Sequence, residues 1–570
     1  MSFNNPDLFR AFLKEAKSQK MDWIGDIPRN FTPPRAMQDT FRAIKDFSNK
    51  RTQLWKIVLR HENPFIQENA LLALGSALLR KLPSETAWKS HELLSLRDIR
   101  IVMENWEQIQ NPDYANNLDV EIDKSTGDRR LRIPSWCDDS LGWMYTLGRI
   151  LRSAVTGEQD FTITPFLGRQ NFDGYSGMQN SWYKRRMGML HTPEALTGLY
   201  APLTPWIGEL LMRLLQWPGL EIKGDLIKDW DLIQTPRDLE KLLSRRLKIQ
   251  KKLYGVKSNL PFYGLPVAHE LGGDGDKLRL VIVQTLVPKT IQFAKADITL
   301  DDPAFRRLHN RHLSSIATLI WRQLHAQAII EGEQKARADL IVFPELSVHP
   351  TDQQKILERL SDVTGAMIFA GMTYQKIGPK CEPVNNGRWI IPNRKRSGRN
   401  WIRRNQGKHH LTSEEQKLGV IGKRPCQWFL EIKDGCGREY RISAAICYDA
   451  TDLSLAADLR DVSDMFIVSA LNKDVKTFDN MVAALHYHMY QHIVLVNSGE
   501  FGGSTIQAPF KDHHEKLIVH LHGQNQIGIS IFDVELSDFG PGSGTANMGK
   551  KKQSKKGTPA GYRRHKIQSH

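Results

Sequence analysis

The run Glu439-Tyr440-Arg441-Ile442-Ser443-Ala444-Ala445-Ile446-Cys447-Tyr448-Asp449 constrains this chain more than any other stretch. Ile442 to Ile446 is apolar and of strand length, so it predicts a buried strand that hands over to a loop at the cysteine. A side chain leaving a strand end can face a cleft while its backbone stays rigid. A free thiol has a pKa of about 8.5 and only the thiolate attacks, so a nucleophile there needs a base and a cation beside it.

Two other predicted strand ends offer them. Ala338-Asp339-Leu340-Ile341-Val342-Phe343-Pro344-Glu345 is an apolar strand stopped by proline with a carboxylate at its exit, and in Trp401-Ile402-Arg403-Arg404-Asn405-Gln406-Gly407-Lys408 the lysine comes after a basic strand near 401–405. A carboxylate, an ammonium and a thiol thus follow three separate strands in that order.

This order and its wording resemble the nitrilase, or carbon-nitrogen hydrolase, superfamily. The matching pieces are Arg279-Leu280-Val281-Ile282-Val283-Gln284, Phe343-Pro344-Glu345, Lys408-His409-His410-Leu411 with Glu415, Ile446-Cys447-Tyr448-Asp449, and Asn497-Ser498-Gly499-Glu500-Phe501-Gly502-Gly503-Ser504. Together they span about residues 278–538. The resemblance implies an α/β fold, an αββα sandwich paired into a homodimer or higher oligomer, and a cofactor-free, metal-free reaction. By the same resemblance Cys447 is the nucleophile, Glu345 the base, and Lys408 the cation that holds the oxyanion. It makes Glu415 a second carboxylate near the lysine, with Tyr448 and Asp449 as further substrate-binding candidates. An ammonium beside the thiol is expected to favour the thiolate, and burial to raise Glu345. Thr412-Ser413-Glu414-Glu415 also reads as a helix-capping box, so Glu415 has two readings.

The implied activity is thiol-dependent hydrolysis, or acyl transfer, at a non-peptide C–N bond, with an amide preferred to a nitrile as the small-molecule substrate. Two segments depart from the family pattern: Ala450-Thr451-Asp452-Leu453 follows Cys-Tyr-Asp, and His486-Tyr487-His488-Met489-Tyr490-Gln491-His492 stands where an Arg-Ala-x-Glu-Asn-like helix is usual. They keep open the alternative of a non-catalytic, ligand-sensing member, nucleic-acid-associated in a bacterial defence system. His488 and His492 have a spacing that can chelate metal on a helix, but no third ligand accompanies them, and packing is the expectation.

Alternation of strands and helices over 278–538 by itself licenses only α/β. Predicted strands near 279–284, 338–343, 366–372, 401–405, 427–432, 440–446, 464–470 and 492–497 alternate with helices near 305–332, 352–364, 452–460 and 477–491. Residues 1–265 lie outside the resemblance and read as a mostly helical region, with helices over Asn63 to Leu82 and Trp206 to Trp217 and a basic helix over Leu239 to Leu253. Trp136-Cys137-Asp138-Asp139 superficially resembles a polymerase Asp-Asp turn, yet a helix cap is the better reading. Gly-rich residues 266–277 read as a linker, and 539–570 as a disordered basic tail.

The net charge of +16 is localised. Arg388, Arg394, Lys395, Arg396, Arg399, Arg403, Arg404 and Lys408 form one cluster, and Lys550, Lys551, Lys552, Lys555, Lys556, Arg563, Arg564 and Lys566 another; the rest of the chain is formally neutral. The first sits in an insertion, 381–408, that reads either as a solvated loop or as a lure for an anionic substrate. The second fits nucleic acid or an acidic partner. Five cysteines without CxxC spacing predict reduced thiols, and with no secretory signal and no apolar run of spanning length the expected location is cytoplasmic, without membrane contact.

Overall fold

The computed structural model describes residues 51–58, 63–81, 94, 96–103, 109–115, 117–122, 137–156, 202–216, 226–228, 230–270, 277–294, 297–377, 381–392, 401–435, 437–541 and 555–559. Arg394, Lys395, Arg396 and Arg399 of the basic insertion, and most of the C-terminal lysine cluster, lie outside these residues. The chain divides into two units, Met1–Tyr254 and Gly255–His570. Among the described residues no helix is long and apolar enough to cross a membrane.

In the first unit, helices α1 (Glu68–Lys81), α2 (Gly142–Thr156), α3 (Pro205–Leu214) and α4 (Pro236–Lys252) share a core that includes Leu74, Leu78, Leu147, Leu151, Ile207, Leu211 and Leu243. The helical reading omits a three-stranded antiparallel sheet, β1 (Arg51–Gln53), β2 (Ile99–Val102) and β3 (Asp119–Ile122). These strands are too short to show a period of two. Glu68 is a buried hub, taking Arg246 Nη2 and Gln250 Nε2 at 2.8 Å each and the Thr204 N–H at 2.9 Å. The basic helix α4 therefore turns Leu239, Leu243 and Leu247 inward and is capped by Thr235 and Asp238. Asp138 accepts from Ser140 N at 2.8 Å, the geometry of a cap.

The second unit holds two sheets. The first has the order β10-β9-β8-β7-β6-β17, from β6 (Lys277–Gln284), β7 (Leu340–Val342), β8 (Met367–Ile377), β9 (Glu382–Pro392), β10 (Trp401–Gly407) and β17 (Gly528–Glu535). The second has the order β16-β15-β14-β13-β12-β11-β5-β4, from β4 (Tyr254–Gly255), β5 (Leu260–Glu270), β11 (Gln427–Lys433), β12 (Glu439–Ile446), β13 (Met465–Ser469), β14 (His492–Val496), β15 (Ser504–Gln507) and β16 (Leu517–Leu521). Three parallel strands lie at the centre of each, β6-β7-β8 and β12-β13-β14, apolar on both faces as fully covered parallel strands must be.

Hydrogen bonds sew the sheets together: Ser469 Oγ donates to Phe343 O at 2.9 Å, Trp428 N to Gln406 Oε1 at 3.0 Å, and Ser504 Oγ to Gln284 Oε1 at 2.9 Å. Helix α5 (Pro303–Glu331) packs Leu313, Ile316, Ile320 and Leu324 with Val281, Ile341 and Ile368 of the first sheet. On the second, α9 (Val475–His488) buries Phe478, Val482 and Leu485 against β14 and β15. The shorter helices α6 (Glu358–Thr364), α7 (Ser413–Leu418) and α8 (Leu453–Leu459) follow strand exits.

The structure departs from the sequence reading in three places. Strand β5 pairs in parallel with β11 and buries Phe262 and Leu265, so residues read as the end of the helical region and the start of a linker belong to a sheet. The insertion 381–408 contains β9, an antiparallel partner of β8 and β10. Within it Arg388 and Arg404 are buried, Arg388 donating to Asn405 Oδ1 at 2.7 Å and Gln375 Oε1 at 3.0 Å. These guanidiniums are committed to the fold and are no lure for a substrate. The tail is not wholly loose either: Phe539 packs with Tyr490, Ala508 and Phe510, Lys555 pairs with Phe510, and Lys556 N donates to Pro509 O at 2.9 Å. One aromatic anchor and a short backbone pairing suffice to seat a segment whose composition is otherwise that of a disordered chain.

One close approach sets the first strand exit. A Cβ on Gly371 would lie 2.4 Å from Glu345 Cα and 2.4 Å from Pro344 O. Gly371→Ala is therefore expected to push the Glu345 backbone aside, lowering stability by about 1–3 kcal/mol, which urea denaturation measures. A midpoint equal to wild type would show that the strand exit tolerates the methyl group.

Candidate active site

Three strand exits meet. Glu345 follows β7, Lys408 follows β10 and Cys447 follows β12, and all three side chains are buried. Lys408 Nζ donates to Glu345 Oε1 and to Glu415 Oε2, each at 2.8 Å. Asn385 Nδ2, from β9, bridges the same carboxylates at 2.7 Å to Glu345 Oε1 and 2.6 Å to Glu415 Oε1. The backbone N–H of Leu471, just beyond β13, donates to Glu345 Oε2 at 2.9 Å. The Glu415 carboxylate takes Lys408 and also caps α7, accepting from Thr412 N at 2.8 Å.

Cys447 stands at φ +47° at the head of a 3-10 turn, Cys447–Thr451. A left-handed conformation is uncommon for a residue with a Cβ, and such strain is held in place only by its surroundings. The surroundings here are named. Asp449 accepts from His409 N at 3.0 Å and His410 N at 2.7 Å and pairs with Arg424 at 3.2 Å, while Arg424 also reaches Asp452 at 2.7 Å. The turn carrying Cys447 is thus tied to the turn carrying Lys408. Asp449 was a substrate-binding candidate, but its oxygens are occupied by these donors, so it positions the two turns. Tyr448, the other candidate, is 46% exposed, and among the described residues its side chain forms no hydrogen bond with the cluster.

The late asparagine of the sequence pattern has a similar part. Asn497 Nδ2 donates to Asn472 O at 2.8 Å and Gly502 O at 2.7 Å, and Asn497 Oδ1 accepts from Asn472 N at 2.9 Å. It clamps the loop that presents the Leu471 N–H. Gly502 and Gly503, at φ +76° and +81°, form the turn it holds, where the Gly-Gly pair is required by conformation.

The electrostatics follow from burying two carboxylates with one ammonium, a cluster of net charge −1 that holds its protons tightly. Burial raises the Glu345 pKa, Lys408 opposes that rise and Glu415 adds to it. Burial works against the Lys408 ammonium, yet Glu345, Cys447 and Glu415 outweigh it and lift its pKa well above the ordinary value. The thiol of Cys447 is also pushed well above its ordinary range, by burial first and then by Glu345, against the pull of Lys408. This corrects the expectation that the ammonium makes a resting thiolate: desolvation and the neighbouring carboxylate win. Alkylation of Cys447 by iodoacetamide is therefore expected to keep accelerating above the pH at which a free thiol levels off. A rate already flat below pH 8 would mean a preformed thiolate.

His488 is exposed and His492 buried, so the pair does not converge, and among the described residues no group of three His, Cys, Asp or Glu side chains is placed to hold a metal. A separate open groove of about 710 Å³, lined by Arg306, Arg307, Arg311 and His349 among others, includes none of Glu345, Lys408, Glu415 or Cys447. Sequence reasoning missed Asn385 and the Leu471 N–H. The doublet Asn385-Asn386, followed by the apolar run Trp389-Ile390-Ile391, is a signal for the first; a backbone donor leaves none.

No family model matches the chain, and no curated protein does. Solved structures do. The chain is similar to a cysteine mutant of the Nesterenkonia AN1 amidase from the nitrilase superfamily at 11% identity, covering 46% of this chain and 93% of that one with a TM-score of 0.31. It is similar to Saccharomyces cerevisiae Nit3, of branch 10 of the nitrilase superfamily, at 16% identity, over 47% of this chain and 94% of that one, TM-score 0.31. A third is XC1258 of Xanthomonas campestris, a CN-hydrolase superfamily protein, at 16% identity over 45% and 90%, TM-score 0.30. The matches with nitrilase-superfamily amidases and CN-hydrolase proteins thus extend over about 46% of the chain.

Proposed function

We propose that the second unit is a thiol-dependent hydrolase, or acyl transferase, that opens a non-peptide C–N bond, an amide in preference to a nitrile, through Glu345, Lys408 and Cys447. The observation that carries this reading is the burial of Lys408 Nζ between two carboxylates at 2.8 Å each, beside a cysteine held in a left-handed strand exit. A buried ammonium in such a place is costly as mere structure. The two sheets sewn face to face, with α5 on one and α9 on the other, support the αββα arrangement.

The chemistry balances with these groups alone. As Cys447 Sγ bonds to the amide carbon, its proton passes to Glu345; Oε1 already accepts from Lys408 and Asn385, so Oε2 is the freer oxygen. The carbonyl π electrons move onto oxygen, and the Lys408 ammonium stabilises the charge that develops there. Collapse breaks the C–N bond, Glu345 returns the proton to the departing amine, and a thioester remains on Cys447. Water or another nucleophile then attacks the thioester, giving its proton to Glu345, which passes it to the sulfur as it leaves.

A thiol that rests protonated suits this scheme, since deprotonation is coupled to attack. The experiment is a screen of small amides and nitriles for ammonia or amine release by the full chain and by Cys447→Ala. Release by the wild type alone supports the reading. Binding of a screened compound with equal affinity by both proteins and no release by either would favour the ligand-sensing alternative.

A further inference from the structure

Asn385 uses only half of its side chain to bridge the two carboxylates. Both N–H groups of Nδ2 are engaged, one by Glu345 Oε1 at 2.7 Å and one by Glu415 Oε1 at 2.6 Å. Its Oδ1 is buried and accepts from nothing. Charge fixes this orientation, since turning the amide over would set a carbonyl oxygen against two carboxylates. A buried acceptor without a donor is destabilising, so a ligand that brings a donor is favoured here.

The strand pairing sets what surrounds this oxygen. Met372 pairs with Asn386 and Gln375 with Val384, so Thr373 and Tyr374 together oppose the single residue Asn385 in a β-bulge of β8. Tyr374 shares an apolar cluster with Leu346, which follows Glu345, and with Leu471, whose N–H reaches Glu345 Oε2. Neither the Thr373 nor the Tyr374 hydroxyl bonds Oδ1. Thr373 Oγ1 is itself buried without a partner, but a hydroxyl turns to donate or to accept, so Oδ1 alone dictates that a ligand carry an N–H or O–H. Asn385 is no more enclosed than Glu345, Lys408 and Cys447. The oxygen and nitrogen of a carboxamide lie about 2.2 Å apart, which puts Oδ1 within about 5 Å of Glu345 Oε1. A substrate nitrogen in hydrogen-bond reach of the Glu345 carboxyl can therefore reach Oδ1 as well.

We propose that Asn385 Oδ1 accepts from an N–H of the scissile amide, so that the site takes amides whose nitrogen carries at least one hydrogen, primary or secondary. Asn385 thereby adds a substrate contact to the reaction proposed for Cys447, Glu345 and Lys408, on which this role rests. The preference for an amide over a nitrile then has a physical cause, because a nitrile nitrogen has no hydrogen to offer. With one N–H held on Oδ1 as the tetrahedral intermediate forms, the nitrogen lone pair is left to take the proton that Glu345 returns. An ester of the same acid meets the same thiol, base and ammonium without this contact.

The test compares the small amides of the screen with the methyl esters of the same acids, reading kcat/KM for the full-length wild type, Asn385→Leu and Asn385→Asp. Asn385→Leu loses the carboxylate bridge and the acceptor together, and its loss on the amide is expected to exceed its loss on the ester by about tenfold or more. Asn385→Asp, whose carboxyl stays protonated beside two carboxylates, keeps a carbonyl oxygen, so its rates fall while its amide-to-ester ratio stays that of wild type. Binding to Cys447→Ala repeats the comparison without turnover, and the amide is expected to bind about tenfold more tightly than the ester. Equal losses on amide and ester in Asn385→Leu overturn the contact, leaving Asn385 to hold the carboxylates with only a water on Oδ1. Equal affinity of Cys447→Ala for amide and ester overturns it as well, even if Asn385→Leu fails to fold. Amides that bind more tightly than their esters and are never turned over would sink the hydrolase reading and leave the contact standing. No binding and no turnover of any amide would remove both.

Discussion

Cys447→Ala is expected to lower turnover of any amide the wild type accepts by about 10⁴-fold or more, because removing a nucleophile abolishes the covalent route and leaves only binding and charge stabilisation. Its fold should survive. Cys447 is fully buried and its sulfur is not a disulfide partner, and the Leu471 N–H that reaches it keeps Glu345 Oε2 as an acceptor at 2.9 Å, so the structural loss is small. The substitution also removes a Cβ substituent from a residue at φ +47°, which does not worsen the backbone strain. Steady-state kinetics of the two proteins, with denaturation midpoints measured beside them, separate the chemical loss from any structural one. A variant retaining a tenth of wild-type turnover would place the reaction elsewhere.

Lys408→Met is expected to be severe in a second way, costing about 3–5 kcal/mol of stability as well as turnover. The ammonium is the sole positive charge contacting Glu345 and Glu415 among the described residues, and without it two buried carboxylates face each other across Asn385 alone. The deficit should depend on pH, with a definite sign. Losing Lys408 removes the positive charge that opposes the rise of Glu345, so its folded pKa climbs further above the unfolded value. A group raised in this way stabilises the fold below its unfolded pKa and loses that contribution as pH rises through the folded one. The variant should therefore come closest to wild type near pH 4 and show its full deficit near pH 8. Urea denaturation across that range measures it, and adding Glu415→Gln should recover part of the loss at high pH. A deficit under about 1 kcal/mol, or one flat with pH, would mean the three charges do not form one buried unit.

What the sequence makes legible here is local. A strand-length run followed by a charged or sulfur side chain marks a strand exit: proline stops the apolar run at Phe343-Pro344-Glu345, glycine ends the basic strand at Gly407-Lys408, and the apolar run to Ile446 ends directly on Cys447. Glu415 is legible twice, as a cap and as a carboxylate, and holds both positions. The partners that orient these groups are not local. Asn385 lies in β9, whose buried arginine and asparagines disguise a strand paired on both sides as a basic insertion. The Leu471 N–H is a backbone group, identical in every sequence. Asp449 sits next to Cys447 in the motif, and only the tertiary structure shows its carboxylate turned toward His409, His410 and Arg424. The thiol's charge state also escapes the sequence, because it depends on the balance between burial and one ammonium against two carboxylates.

The central claim is that Cys447 forms the covalent bond, with Glu345 and Lys408 serving it. Intact-protein mass spectrometry of the wild type, acid-quenched during turnover of an amide found in the screen, tests it most directly. The expected result is a mass increase equal to one acyl group, mapped by peptide analysis to the segment containing Cys447 and missing from Cys447→Ala. An acyl group mapped to Cys137, Cys381, Cys426 or Cys436, or amide turnover that proceeds undiminished in Cys447→Ala, would contradict it.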